Sequence, residues 1–152
     1  MANTTNLDME IVPTSNFISP EPFNNNFAKL DKLGIDYVIE SGTSGEWWYR
    51  KWKSGRAECG IDSKNFGNAD LRAWGAIYST YKGWSFGSYP FSFSKTPFVS
   101  VTPTPGGGTY YGVVLTGSTS PTTRSPEVDL WRTSQTSISN VILSIYVCGV
   151  YK

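Results

Sequence analysis

The sequence contains no histidine, and this absence narrows the chemistry that the chain can perform. Histidine is the usual general base and the partner of the nucleophile in Ser-His-Asp and Cys-His arrangements. It also supplies two ligands of the HExxH zinc site. These kinds of active site are therefore excluded. We expect a protein that is not an enzyme and that holds no cofactor and no metal.

Charge and long apolar runs are also scarce. Charged residues make up 16% of the 152 residues, and the net charge is +1. Duplex DNA and anionic membrane surfaces attract clustered Lys and Arg, and the sequence has no such cluster. No run approaches the roughly 18 apolar residues of a membrane helix. The first residues, MANTTNLDME, lack the basic and apolar regions of a signal peptide. We therefore expect no nucleic-acid partner, no membrane insertion, no signal peptide and synthesis in a cytosol.

Cysteine occurs only twice, as Cys59 and Cys148, and neither residue belongs to a CxxC motif. Free cysteines are among the most buried residues of folded proteins, which favours two reduced thiols in strands. A disulfide between them remains possible if their strands are neighbours, because sequence alone does not reveal pairing.

The abundant residues indicate a β fold. Aromatic residues reach 15%, and from Asp36 onward apolar residues recur with period two between Gly, Ser, Thr and Pro. The predicted strands are 36–41, 46–53, 56–59, 77–81, 84–93, 98–102, 110–115, 128–132 and 137–151. Between them we expect a two-residue Ser54-Gly55 hairpin turn and loops at 42–45, 60–75, 104–108 and 118–125. Within the 60–75 loop, strand pairing near Ala73-Trp74 stays open.

This density of short strands predicts an all-β head over residues 36–152, an antiparallel β-sandwich or a barrel. The last predicted strand, 137–151, is apolar on both faces. We therefore expect it to be central in its sheet or covered by a neighbouring subunit.

Residues 1–35 form a separate N-terminal region, with an extended segment followed by a short helix at about 20–33. Ser19 can cap this helix, and Gly34 can end it. Its apolar stripe consists of Phe23, Phe27, Leu30 and Leu33, at spacings of four, three and three. A helix of about fourteen residues is marginal alone. The stripe therefore packs on the chain's own β head or on the same helix of sister chains in a homotrimer.

The segment Glu46–Cys59, EWWYRKWKSGRAEC, concentrates three of the six tryptophans. On a strand, Trp47, Tyr49 and Lys51 face one way, and Trp48, Arg50 and Trp52 face the other. The three tryptophans therefore cannot form one continuous platform. Core and interface packing is favoured over a surface that stacks sugars or bases on flat aromatic rings.

Acidic and amide side chains cluster in the same half of the sequence, at Glu40, Glu46, Glu58, Asp62, Asn65, Asn68 and Asp70. Paired carboxylates can hydrolyse glycosides, and oxygen ligands suit Ca²⁺. Ordinary solvated acids and a loop held by side-chain-to-backbone bonds are favoured, because the spacing is not that of an EF-hand. The glycines at 106–108 lack the Lys-Ser/Thr of a phosphate loop and predict a flexible tip, where binding residues often lie.

The most distinctive segment of the chain is DYVIESGTSGEWWYRKWKSGRAECG, at residues 36–60. It resembles a segment of small tail-fibre or tail-tip proteins of the receptor-binding type from phages and prophages of Firmicutes. The segments MANTTNL, FNNNFAKLDKLG, YPFSFSKTPFVSVTPT and SNVILSIYVCGVYK are similar more loosely. Two departures stand out, because Gly60 replaces an expected aromatic residue and residues 61–75 differ from the family pattern.

The resemblance implies a virion protein of the phage tail, made in the host bacterial cytoplasm and attached to other tail proteins through its N-terminus. It implies recognition of a glycan or protein on the surface of a Gram-positive host, and it supplies no catalytic residues. Two alternatives stay open, a purely structural virion component and a polysaccharide depolymerase. We expect ligand binding in the less familiar loops, at Asn65, Asn68, Asp70, Trp74, Trp84, Tyr110 and Tyr111.

Overall fold

The structure is a computed structural model, and it describes residues 25–29, 36–104, 112–117 and 120–152. The chain divides at Tyr37 into two units, and every described strand lies in the second, Val38–Lys152. In the first unit, residues 25–29 are helical, inside the predicted helix, and the Phe27 side chain is exposed. Phe23, Leu30 and Leu33 lie outside the described residues. No helix in the described ranges is long and apolar enough to cross a membrane.

The second unit contains ten described strands. They are β1 (Val38–Ser44), β2 (Trp47–Trp52), β3 (Arg56–Ala69), β4 (Arg72–Trp74), β5 (Ile77–Ser79), β6 (Trp84–Ser85), β7 (Phe98–Pro103), β8 (Gly112–Thr116), β9 (Glu127–Arg132) and β10 (Ile138–Val150). All their pairings are antiparallel.

These strands form two sheets. Sheet 1 has the order β1-β2-β3-β10-β7. Sheet 2 has β9 at its centre. On one side β9 pairs with β8, and on the other side it pairs with β5 at one end and with β6 at the opposite end. β4 pairs with β5 and forms an edge of the sheet. The predicted fold class, an antiparallel β-sandwich, is confirmed.

One apolar core lies between the two sheets, because alternate residues of each strand point inward. Its buried members are Trp47, Ala57, Cys59, Ile61, Ala69, Leu71, Phe86, Tyr89, Phe93, Val128, Leu130, Ile138, Val141, Leu143, Ile145 and Val147. Both sheets and the segment that follows β6 contribute to this core, which is what a two-layer β domain requires.

The predicted central position of the last strand is confirmed. β10 lies between β3 and β7; it pairs with β3 along its whole length and with β7 from Leu143 to Cys148. Val141, Leu143, Ile145 and Val147 are buried in the core. The residues between them point to the other face of sheet 1, which explains why this strand is apolar on both sides.

The predicted loop is wrong at 60–69, because β3 continues to Ala69, whereas the pairing considered near Ala73-Trp74 is confirmed by β4 at Arg72–Trp74. The pairing of β3 with β10 contains three register shifts, and these bulges break the period-two pattern from which strands are predicted. Gly67 and Asn140 adopt positive φ angles of 76° and 54° in this stretch. The irregular sequence therefore encodes a bulged strand, not a loop.

Other predicted boundaries also differ. β1 runs on to Ser44, so the turn to β2 contains only Gly45 and Glu46. The β2–β3 hairpin has three connecting residues, 53–55, closed by a hydrogen bond from the Gly55 amide to the Trp52 carbonyl at 3.0 Å. Within the predicted strand 84–93 only Trp84–Ser85 is a strand. The rest is irregular backbone tied to distant segments, with the Tyr89 amide bonded to the Thr123 carbonyl.

The two faces predicted for the tryptophan-rich strand are confirmed. Trp47 is buried, and Tyr49 packs against the core. Lys51 lies on the same face at the margin of the core, with its ammonium 5.5, 5.2 and 5.5 Å from the ring centres of Tyr49, Phe91 and Tyr151. It also donates a hydrogen bond of 2.9 Å to Glu40, which holds the pKa of that carboxyl below its usual value. Lys51 thus connects β1, β2 and the C-terminal end of the chain.

We expect Lys51→Met to destabilise the fold by about 1–2 kcal/mol, because the substitution keeps the apolar stem but removes the cation from three rings. Chemical denaturation measures the change, and Lys95→Met, at an exposed position, is the matched control. An equal effect of the two substitutions would show that the aromatic surroundings of Lys51 contribute nothing to stability.

The two cysteines are free, and their strands are neighbours. Cys59 is opposite Val147 and Cys148 is opposite Glu58, so the thiols point to opposite faces of sheet 1. This arrangement rules out a disulfide in this fold. Burial, with a smaller contribution from the Glu58 charge, raises the pKa of the Cys59 thiol to about 12. Cys148 is half-buried on the outer face.

Alkylation of the native protein with iodoacetamide should therefore modify Cys148 well before Cys59, since only a thiolate reacts and Cys59 stays protonated at neutral pH. Mass spectrometry should find one adduct on the folded chain and two on the unfolded chain. Absence of any adduct on the unfolded, unreduced chain would reveal a disulfide and contradict the register.

Candidate functional site

A pocket of about 210 Å³ opens on the second unit beside sheet 2. Its lining residues are Trp74, Ser79, Tyr81, Val114, Thr116 and Asp129. We call this cavity the Trp74 pocket. Strands β4, β5, β8 and β9 all contribute to it, as does the segment between β5 and β6, so the pocket depends on sheet 2 being assembled.

Two exposed aromatic rings form one corner of the Trp74 pocket. Trp74 is 47% exposed and Tyr81 is 52% exposed. Their ring centres are 6.1 Å apart, with an angle of 70° between the planes. An edge-to-face pair of this kind is a favourable aromatic geometry. It fixes both rings while each remains accessible to a ligand.

Tyr81 has a strained backbone conformation that hydrogen bonds to Asp129 hold in place. Its φ angle is 47°, a conformation that is uncommon for residues other than glycine. One oxygen of Asp129, Oδ1, accepts hydrogen bonds from the Thr80 hydroxyl at 2.9 Å, the Lys82 amide at 2.7 Å and the Gly83 amide at 3.3 Å. Asp129 therefore fixes the turn that carries Tyr81. Strain of this kind is concentrated at binding and active sites in proteins.

Thr116 adds a polar group whose bonding capacity is unused. Its hydroxyl oxygen is buried at the pocket, yet it has no hydrogen-bond partner among the described residues. A buried polar group left in this state costs about 1–3 kcal/mol. Thr116 lines the pocket, and a ligand hydroxyl or amide that reached its oxygen, which neighbouring atoms now cover, would remove this cost.

This combination suits a sugar. A pyranose ring places C–H groups on an aromatic face and directs its hydroxyls sideways, where a carboxylate and a hydroxyl can bond to them. Trp74 and Tyr81 provide the faces, and Thr116 and Asp129 provide the polar groups. Pockets that combine apolar walls with a few placed polar groups are the usual form of small-ligand sites.

Of the predicted ligand residues that the structure describes, only Trp74 lines this pocket. Trp84 is half-buried, and its ring lies 5.5 Å from that of Phe66 at the edge of the core. Tyr110 and Tyr111 lie outside the described residues. Trp84 therefore serves the packing of the sandwich.

The predicted polar residues form hydrogen bonds across the bulged part of the β3–β10 pair. The Asn65 amide donates to Asn140 Oδ1 at 2.7 Å, and Asn68 Oδ1 accepts from the Asn140 backbone amide at 3.0 Å. Asp70 accepts a hydrogen bond of 2.8 Å from the Ser137 hydroxyl. These contacts stabilise the strand pairing, and they do not bring the three side chains to Trp74.

Sequence reasoning missed Tyr81, Thr116 and Asp129. Asp129 had a usable signal, because it is a carboxylate between Val128 and Leu130, two apolar residues that alternation sends to the core. Tyr81 is followed by Lys82-Gly83, a turn signal at the end of a predicted strand. Thr116 had none, since its place at the pocket follows from the long-range pairing of β8 with β9.

Comparison with known proteins adds no relative. No family model matches the chain, no curated protein matches it, and no solved structure matches it. Within the described ranges, no three Cys, Asp or Glu side chains are grouped so that they could hold a metal ion.

We expect Thr116→Val to stabilise the protein by about 1 kcal/mol, because valine keeps the shape of threonine and removes the unsatisfied hydroxyl. Thr102→Val, at an exposed position of β7, is the control and should change stability little. Thermal or denaturant unfolding measures both. A loss of stability in Thr116→Val would mean that the hydroxyl has a partner in the folded protein.

Proposed function

We propose that this chain is the head of a phage tail fibre or tail tip and that it binds a glycan on the surface of a Gram-positive host. The observation that carries the ligand class is the Trp74 pocket, where two exposed rings lie beside a buried hydroxyl that has no partner among the residues the structure describes. A site that leaves a polar group unsatisfied lowers stability, and a binding function is one reason for a protein to keep such a site.

The virion role rests on the resemblance of residues 36–60 to tail-fibre and tail-tip proteins. The β-sandwich fold is compatible with that role. In this proposal, the N-terminal region attaches the head to other tail proteins. The apolar positions Phe23, Phe27, Leu30 and Leu33 pack around the axis of a homotrimer.

Binding of the labelled protein to cell walls of Gram-positive bacteria, and to the polysaccharides extracted from them, tests the ligand class. We expect Trp74→Ala and Tyr81→Ala each to weaken binding by about 5- to 150-fold, since loss of one stacking ring costs about 1–3 kcal/mol. Phe98→Ala removes an aromatic ring that is 64% exposed on sheet 1 and should leave binding unchanged.

Thr116→Val sharpens this test, because it should weaken glycan binding while it stabilises the fold. A variant that folds better and binds worse cannot owe its defect to misfolding. If no wall polysaccharide binds, or if Trp74→Ala and Phe98→Ala behave alike, the glycan proposal is wrong. If these variants block particle assembly but leave adsorption intact, the purely structural alternative is correct.

A further inference from the structure

A larger cavity, of about 540 Å³, lies on the outer face of sheet 1. Its lining residues are Trp48, Arg50, Glu58, Asp62 and Tyr146. We call it the Trp48 cavity. The lining residues belong to β2, β3 and β10. Their side chains point away from the core, because the residues next to them on β3 and β10 point into it. These inward residues are Ala57, Cys59, Ile61, Ile145 and Val147. Among the described residues, none lines both the Trp48 cavity and the Trp74 pocket.

A glycine lies between the two aromatic residues of the Trp48 cavity. Gly60 is opposite Trp48 on one side and opposite Tyr146 on the other. A Cβ at this position would lie 2.7 Å from the Trp48 ring and 2.7 Å from the Ile145 carbonyl oxygen. The absence of a side chain lets the indole lie across β3. The rings of Trp48 and Tyr146 then face the same space, with centres 6.2 Å apart and planes inclined at 40°.

The uncharged donors around this cavity are already committed to carboxylates. The Trp48 indole N–H donates to Asp62 Oδ1 at 2.9 Å, and the Tyr146 hydroxyl donates to Glu58 Oε2 at 2.5 Å. The bond to Glu58 also raises the pKa of the Tyr146 phenol, so the hydroxyl stays a donor at neutral pH. What remains for a ligand is carboxylate acceptor capacity and two aromatic faces. Both attract positive charge.

The chain's own cation already occupies part of this space. The Arg50 guanidinium carbon lies 5.9 Å from the centre of the Trp48 ring, and Arg50 Nη1 lies 3.4 Å from Glu58 Oε1. The Arg50 side chain is 59% exposed, and such exposed ion pairs contribute little to stability. Arg50 can therefore be displaced at small cost. With two carboxylates and one guanidinium, the cavity keeps a net negative charge.

We propose that the Trp48 cavity binds a cationic nitrogen, a quaternary ammonium or protonated amine of a ligand, which takes the place of Arg50 over the Trp48 ring. Glu58 and Asp62 supply the charge that holds it, and Trp48 and Tyr146 supply the faces that exclude water from it. An anionic ligand would meet two carboxylates there. This inference does not depend on the Trp74 pocket or on a role in a virion.

The test compares choline with its neutral carbon isostere, dimethylbutanol, which has the same shape without the charge. Titration of the full chain, followed by tryptophan fluorescence and by the indole NMR signal of Trp48, gives both affinities. We expect choline to bind at least tenfold more tightly. Glu58→Gln and Asp62→Asn should each weaken choline binding, while Arg50→Gln should strengthen it by removing the internal competitor.

Glu127→Gln is the matched control, because it removes a carboxylate at an exposed position of β9 that lines neither cavity and should leave choline binding unchanged. Equal binding of choline and its isostere would overturn the proposal, and that comparison needs only the unaltered protein. Weaker choline binding by Arg50→Gln would also overturn it, since Arg50 would then be part of the binding site and not its occupant.

Discussion

The pairing of β3 with β10 is the constraint on which the rest of the molecule depends. It places Cys59 opposite Val147 inside the sandwich and Glu58 opposite Cys148 outside it. The register of this one strand pair therefore determines both which residues enter the core and which residues line the Trp48 cavity. A slip by one residue would exchange the faces and bury Glu58 in the core, which is why burial of one face specifies register so strongly.

In sheet 2, too, one strand contributes alternate residues to the core and to a candidate binding site. β9 buries Val128 and Leu130 and sends Asp129 outward, where its carboxylate fixes the turn that carries Tyr81. Trp131 lies on that outer face too, over Gly112, where an added Cβ would come within 2.1 Å of the indole nitrogen. Each sheet thus lays a tryptophan across a glycine of the neighbouring strand. Glycine in a strand gives up side-chain packing, and in both places an indole ring restores it.

Much of this arrangement follows from local sequence, and the rest does not. The alternation of side chains along a strand was enough to place Trp47 and Trp48 on opposite faces. The apolar residues on both faces of β10 predicted its central position in the sheet. The strand at 60–69 was not predictable by period, because Gly67 and Asn140 shift the register through positive φ angles. Tyr81 and Thr116 meet only because β5, β8 and β9 pair across long sequence distances. Local patterns therefore predicted which residues of a strand share a face, but they did not predict which residues of different strands come together around a cavity.

The most direct test of the glycan assignment is an NMR titration of the protein labelled at its tryptophans with polysaccharide from a Gram-positive cell wall. The six indole signals report on the core, on both outer faces and on the tryptophans elsewhere in the chain. The account predicts a saturable shift of Trp74 while the buried Trp47 stays in place. A saturable shift confined to other tryptophans, or no shift with any wall polysaccharide, would contradict it.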